Sequence, residues 1–323
     1  MKANGYYLKI LIVINIMLLI FNLTWIGIGT VKKQDQEPKT SNQYPYLSKR
    51  IFSESQNDLI INFTILRSAI REYVAKNTDE ESGKDIGVYF EYLPTGTSIG
   101  VNDQLEEKLA SLIKIPVVMA AYKAVDEGKL SLDQELIITD GDLDPSFGEL
   151  WKRGKGTKIS VRQAIDLAII ESDNTATKTL THALPEGYID DIFDSLDVPK
   201  NKNQGFTVIS PKNYTSILRS LYLSSYLNRD HSNEILDILS RTNFNDRIPV
   251  GVPNHIKVSH KIGIYNLNNA SPNNQPVFSD CGIVYANNRP YSLCIMTKNV
   301  DESISKRHMQ IISKMVYGYI EKI

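Results

Sequence analysis

Cysteine and histidine are both scarce in this chain. Two cysteines in 323 residues exclude a disulfide framework and a cysteine-rich metal centre. The five histidines have no ligand spacing, so neither a metal nor any other cofactor is expected. An excess of one charge sign is missing too. Lys and Arg number 36 against 37 Asp and Glu, for a net charge of −1. This excludes the strong basic field that a nucleic-acid partner demands. Internal repeats and low-complexity blocks are absent as well. What remains is an ordinary globular composition, long enough for one large domain or two intimate ones.

A single long apolar run stands out. Across residues 10–31 only Asn15, Asn22, Thr24 and Thr30 are polar. About 20 helical residues cross a bilayer core, whereas a signal-peptide core runs roughly 7 to 15. The run therefore reads as an uncleaved membrane anchor. A weak small-x-small pattern at Gly27 and Gly29 keeps cleavage and secretion as the alternative. Lys2, Lys9, Lys32 and Lys33 make both flanks basic, so charge does not set the orientation. With about nine residues ahead of the run, no cytoplasmic signalling domain is expected, and the globular mass should be exported.

The division expected is an anchor or signal segment over 1–31, a Pro-broken polar tether over 32–57, and a globular domain over 58–323. Helical spacing marks residues 58–76, and alternation marks a hairpin that turns at Pro94-Thr95-Gly96-Thr97. Residues 105–249 read as mostly helical, with helices near 111–125, 161–170, 188–196, 211–227 and 232–242. Ser160 should cap the second of these, and Pro211 should open the fourth. Strands are expected near 257–264, 277–286 and 291–297, then a terminal helix over 303–320. Two early and three late strands must join in one sheet, because neither group is stable alone. The sheet parts are then 58–104 and 250–323, with the helical part inserted between them.

Chemistry begins with Lys114, inside Ala110-Ser111-Leu112-Ile113-Lys114-Ile115-Pro116-Val117. A lysine on an all-apolar helix is rarely idle. Burial lowers its pKa and frees a neutral amine as base. Ser111 lies three residues earlier on the same face, and a serine hydroxyl needs such a base to become nucleophilic. The second element is Ser172-Asp173-Asn174, at the polar end of an apolar helix; in isolation it reads as a cap or turn. The third is His260-Lys261-Ile262-Gly263-Ile264 on a strand, where the glycine marks a close approach and Lys261 suits an anionic group.

In this order the three elements resemble the Ser-x-x-Lys, Ser-Asp-Asn and Lys-Thr-Gly set of class A β-lactamases and penicillin-binding proteins. The stretches ASLIKIPVVMAAYKAVDEGKLSLDQELII, TKISVRQAIDLAIIESDNTATKTL and SDCGIVYANNRPYSLCIMTK are similar to that family well beyond the motifs. The resemblance implies an α/β (α+β) fold, with a five-stranded, mostly antiparallel sheet flanked by helices and an all-helical subdomain. It implies a serine hydrolase acylated at Ser111, with Lys114 as base and Ser172 relaying protons. Asn174 would bind the substrate amide and Lys261 its carboxylate. The backbone N–H groups of Ser111 and of Ile264, which follows Gly263, would form the oxyanion hole. The implied substrate is a β-lactam or a D-alanyl-D-alanine type wall peptide, taken by a monomer. β-Lactamase is the first reading and D-alanyl-D-alanine carboxypeptidase the second. An acyl-retaining sensor and a silent wall-binding relative are the alternatives.

Two departures stand against the first reading. The family's Glu-x-x-x-Asn element is missing after Asn174, where the acids are Glu186, Asp190, Asp191, Asp194 and Asp197. Glu171 is the one other acid nearby, and helix surface is its expected role. Ile262 replaces the hydroxyl residue of the third motif, removing a hydrogen bond worth roughly 1.5–3 kcal/mol. Finally, a turn at Asn287-Asn288 sets Cys281 opposite Cys294. Two adjacent buried thiols are the favoured expectation, and a disulfide the alternative.

Overall fold

The structure is a computed structural model that describes residues 45–46, 62–78, 85–203, 205–265 and 275–323. The apolar run 10–31 and most of the expected tether lie outside the described residues. Among the described residues no helix is long and apolar enough to cross a membrane. Tyr46, within the stretch read as a tether, is buried, and its hydroxyl donates to Asp237 Oδ1 (2.8 Å).

In chain order the elements are α1 (Thr64–Asn77), β1 (Ile86–Tyr92), β2 (Thr97–Val101), β3 (Glu107–Lys108) and α2 (Lys114–Asp126). Next come β4 (Glu135–Ile137), β5 (Lys158–Ser160), α3 (Val161–Ile170), α4 (Asn174–Ala183) and α5 (Tyr188–Ser195). The chain continues through β6 (Asn201–Asn203), β7 (Phe206–Ile209), α6 (Pro211–Tyr222) and α7 (Arg229–Ser240). It closes with β8 (Val258–Tyr265), β9 (Val277–Val284), β10 (Tyr291–Lys298) and α8 (Glu302–Ile320).

The early hairpin and the late strands share one antiparallel sheet of order β2-β1-β10-β9-β8, as their joint need for a partner required. Successive side chains of β10 feed opposite layers. Leu293 and Ile295 pack with Leu66, Ile70 and Val316 of α1 and α8. Cys294 and Met296 pack with Ile115, Met119 and Tyr214 of the helical part. Each aliphatic side chain so buried stabilises by about 1.5–3 kcal/mol. The edge strand β8 carries Lys261, so the sheet delivers the third motif to its open border.

Local chemistry explains the helix limits. Ser160 caps α3 by accepting from Gln163 N (3.1 Å), and Ser210 caps α6 ahead of Pro211. The expected helix 211–227 stops at Tyr222, because Ser224 takes a left-handed φ of 49°. The expected helix 232–242 starts earlier, at Arg229, because Asn228 Oδ1 accepts from His231 N (2.9 Å). Helix α4 was hidden by its Thr-rich sequence, of poor propensity. Its signal was Asp173, an N-cap that accepts from Ala176 N (2.8 Å).

The hairpin register is the expected one, with Cys281 paired with Cys294 and their Cα atoms 3.9 Å apart. The expectation of two thiols is corrected, for the cysteines form a disulfide. A cross-strand position with both side chains on one buried face brings the sulfur atoms together.

Candidate active site

Residues 111–125 do not form the uniform helix expected of them. Ala110–Ile113 is a 3-10 turn, and α2 begins at Lys114. Ala110 sits at φ 44°, a left-handed conformation that costs a non-glycine residue on the order of 1–3 kcal/mol. It breaks the helix ahead of Ser111. In a 3-10 turn residues three apart eclipse, so Ser111 and Lys114 leave the backbone on one side. Ser111 also falls in the first turn, where N–H groups have no intrahelical acceptor. Ser111 is half-buried, while Lys114 is almost wholly buried. Tyr214 of α6, unremarkable in the sequence, fixes the turn by donating its hydroxyl to the Leu112 carbonyl (3.0 Å).

Three elements meet at Ser172. Lys114 Nζ donates to the Ser172 carbonyl, to Ser172 Oγ (3.1 Å) and to Asn174 Oδ1 (2.7 Å). Lys261 Nζ, from β8, donates to the same Ser172 Oγ (2.8 Å). One buried hydroxyl therefore bridges two buried lysines. Ser172 holds φ 55°, another left-handed non-glycine position. Asp173 secures it, capping α4 with one carboxylate oxygen and accepting from Leu150 N (2.9 Å) with the other.

Burial lowers the Lys114 ammonium to about 7, against the opposing pull of Asp173 and Asp144. Burial also drives Lys261 well below its ordinary value, helped by the positive charges of Lys114 and Arg247 and opposed by Asp280. An amine poised near neutrality, on the face it shares with a half-exposed serine, suits proton abstraction from that hydroxyl.

The open border of β8 faces the Ala110–Ile113 turn. A Cβ on Gly263 would lie 3.1 Å from Leu112 Cγ and 3.4 Å from the Leu109 carbonyl, which explains the glycine. The Tyr285 N–H bonds the Lys257 carbonyl (3.0 Å), making these two a hydrogen-bonded pair. Antiparallel pairs alternate, so Ile264 turns its N–H away from β9 and toward that border. Ile264 thus presents its N–H on the border that approaches the Ala110–Ile113 turn at Gly263. Ile262 is buried and brings no hydroxyl.

Of the acids after the second motif, Asp190 and Asp194 on α5 pair with Lys200 (3.5 and 3.0 Å). Asp191 accepts from the Tyr226 hydroxyl (2.9 Å). Glu171 is half-exposed at the end of α3, its N–H on the Leu167 carbonyl (3.2 Å). The segment instead builds the short hairpin β6–β7. That hairpin adds to β3, and Leu109 N bonds the Thr207 carbonyl (3.0 Å). A groove of about 440 Å³ lies beside it, sharing Ile113 with the Ala110–Ile113 turn. Among the described residues no group of His, Cys, Asp or Glu is arranged to hold a metal.

Sequence reasoning also missed an aromatic pair and a buried dyad. Phe147 and Phe244 meet at 5.6 Å, with Lys261 Nζ 5.6 Å from the Phe244 ring centre. His260 Nδ1 and Asp280 Oδ1 are 2.8 Å apart and fully buried, and Asp280 also accepts from Ile248 N (3.0 Å).

Comparison with known proteins converges on one family. A model of the β-lactamase enzyme family matches residues 65–320. β-Lactamase VEB-1 of Pseudomonas aeruginosa is 22% identical over 246 residues, covering 69% of this chain and 81% of that protein. The structure of PBP-A superposes with a TM-score of 0.71 at 25% identity, covering 80% of this chain and 97% of its own. A β-lactamase from Chitinophaga pinensis gives 0.70 at 21% identity, covering 79% and 99%. Sequence and fold thus agree, and the chain belongs to the β-lactamase enzyme family, with the β-lactamase/transpeptidase fold.

Proposed function

We propose that the chain is an acyl-transfer serine hydrolase, acylated at Ser111, that releases its acyl group to water slowly when the substrate is a β-lactam. The observation that carries this is the Ser172 hydroxyl held between Lys114 and Lys261, with Ser111 on the turn that leads into Lys114. Lys114 takes the Ser111 proton, and Ser172 passes it toward the leaving nitrogen. That leaves Lys261 to face the substrate carboxylate and Asn174 the substrate amide. The N–H groups of Ser111 and Ile264, next to the close approach at Gly263, stabilise the oxyanion.

The acyl group is expected to persist because the family's Glu-x-x-x-Asn element is missing and Asp190, Asp191 and Asp194 are engaged with Lys200 and Tyr226. This favours a peptidase of D-alanyl-D-alanine type over an efficient β-lactamase. It agrees with PBP-A, a mutant of which forms an acyl-enzyme complex with penicillin-G. The run 10–31 is proposed to anchor the domain outside the cytoplasmic membrane, where an oxidising space sustains Cys281–Cys294. Fluorescent penicillin should label the protein and D-alanine should be released from a D-alanyl-D-alanine peptide, both lost in Ser111→Ala. Label retained by that variant would refute the assignment. For the anchor, full-length protein should stay with membranes through a carbonate wash; a mature chain starting near Thr30 would overturn it.

A further inference from the structure

Asn174, Lys178 and His182 follow at four-residue spacing on α4, so they share one face. Each meets a side chain of the segment 140–148 running beside the helix. His182 Nδ1 lies 2.5 Å from Asp142 Oδ1, Lys178 Nζ lies 2.9 Å from Asp144 Oδ2, and Asn174 Nδ2 donates to Ser146 Oγ (2.8 Å). The backbone joins in, with Asp144 N on Thr175 Oγ1 (2.9 Å) and Asn174 N on the Phe147 carbonyl (3.0 Å). The segment is fastened along the helix turn by turn, and its last fastening is a residue of the cluster around Ser172.

The direction of every bond in this chain is dictated by chemistry. The Lys178 ammonium can only donate, and an ionised Asp144 can only accept. The Ser146 hydroxyl must therefore donate to Asp144 Oδ1, as it does. That leaves Ser146 Oγ a lone pair, which Asn174 Nδ2 fills. The carboxamide is then oriented without ambiguity, its nitrogen on Ser146 and its oxygen on Lys114. Flipped, it would set two donors against the Lys114 ammonium and a lone pair against the Ser146 oxygen.

We infer that Ser146 and Asp144 are positioning residues for acylation, locking the Asn174 carboxamide so that its oxygen holds the Lys114 amine and its second N–H is left for the substrate amide. This rests on the reading of Ser111 and Lys114 as nucleophile and base. Asp144 has a second effect through charge. The groups that act on Lys114 are Asp173 at the cap of α4, Asp144 on the segment, and Lys261 from β8. Asp144 raises the Lys114 pKa, so its removal lowers that pKa and makes the neutral amine available at lower pH. Asp144 is itself held below the usual carboxylate range. Burial pushes it up, but the bonds from Ser146 and Lys178 outweigh that.

The test is the acylation rate of the full chain with fluorescent penicillin, measured against pH. Ser146 is exposed, so its variants should fold, and thermal melts check this. Ser146→Ala should acylate on the order of tenfold more slowly, the worth of one neutral hydrogen bond, and Ser146→Thr should recover the rate. Asp144→Asn should move the acid-side midpoint to lower pH, a change that loosened packing alone does not produce. The Lys114 titration, followed by NMR with isotope-labelled lysine and assigned with Lys114→Arg, reads the same shift without penicillin. A wild-type rate in Ser146→Ala, or an unmoved Lys114 titration in Asp144→Asn, overturns the inference. Failure of the underlying reading looks different: the wild-type protein would take no label, or Ser111→Ala would keep it.

Discussion

The cluster around Ser172 and the stretch from Pro185 to Ile209 lie close in sequence but differ in kind. In the first, three elements from distant parts of the chain converge on one hydroxyl, every polar atom of the bridge is engaged, and two backbone positions are held left-handed. In the second, surface pairs predominate, Lys200 with Asp190 and Asp194 and Asp191 with Tyr226, and the chain turns back in a short hairpin. Burial and strain persist only where the surroundings over-determine them. Their concentration around Ser172 marks where the chemistry is built. Along 185–209 the left-handed Asp197 (φ 52°) gathers no such cluster, and Asp190, Asp191 and Asp194 are occupied by Lys200 and Tyr226.

Substitutions can break that contrast. Ser111→Ala should abolish covalent labelling by penicillin, and Lys114→Ala should slow it by several orders of magnitude, since members of a catalytic unit fail together. Second in size is the pH effect. Acylation needs the neutral Lys114 amine, so its rate should rise with pH through a midpoint near about 7 and fall as the amine protonates below it. A flat stopped-flow profile between pH 5 and 9 would remove Lys114 as base. Removal of the Cys281–Cys294 bond by a double Ser substitution should cost about 3 kcal/mol in urea unfolding while leaving the Ser172 cluster able to acylate. Gly263→Ala should slow acylation more than it lowers the melting temperature, because the added Cβ presses β8 off the Leu109–Leu112 turn. Smallest of all, Asp190→Asn or Asp194→Asn should alter the acylation rate by no more than about twofold, as surface substitutions do. A large loss there would show that the two regions are coupled.

Much of this was legible in the sequence because the signals were local. Lys114 stood out against an apolar run, Ser160 and Ser210 announced their helices, and the Asn287-Asn288 turn fixed the register that opposes the two cysteines. The convergence of Lys114 and Lys261 on Ser172 was implied by motif order alone, since no local rule joins positions 58 and 89 residues apart. The segment 140–148 stayed illegible for the same reason. Asp144 and Ser146 are ordinary turn residues until α4 is recognised, and α4 was concealed by its threonines. The 3-10 turn at Ala110 was equally hidden, because a left-handed alanine leaves no mark in composition. Bonding between Cys281 and Cys294 was left open because their adjacency follows from register, while their oxidation depends on surroundings.

The central claim is that Ser111 is acylated by a β-lactam and releases that acyl group only slowly. Intact-protein mass spectrometry after mixing with a small excess of penicillin tests it directly. The account predicts a rapid gain of one penicillin mass on Ser111 that persists for many minutes, and no gain in Ser111→Ala. Return of the wild-type protein to its unmodified mass within seconds would contradict it, as would a stable adduct on the Ser111→Ala protein.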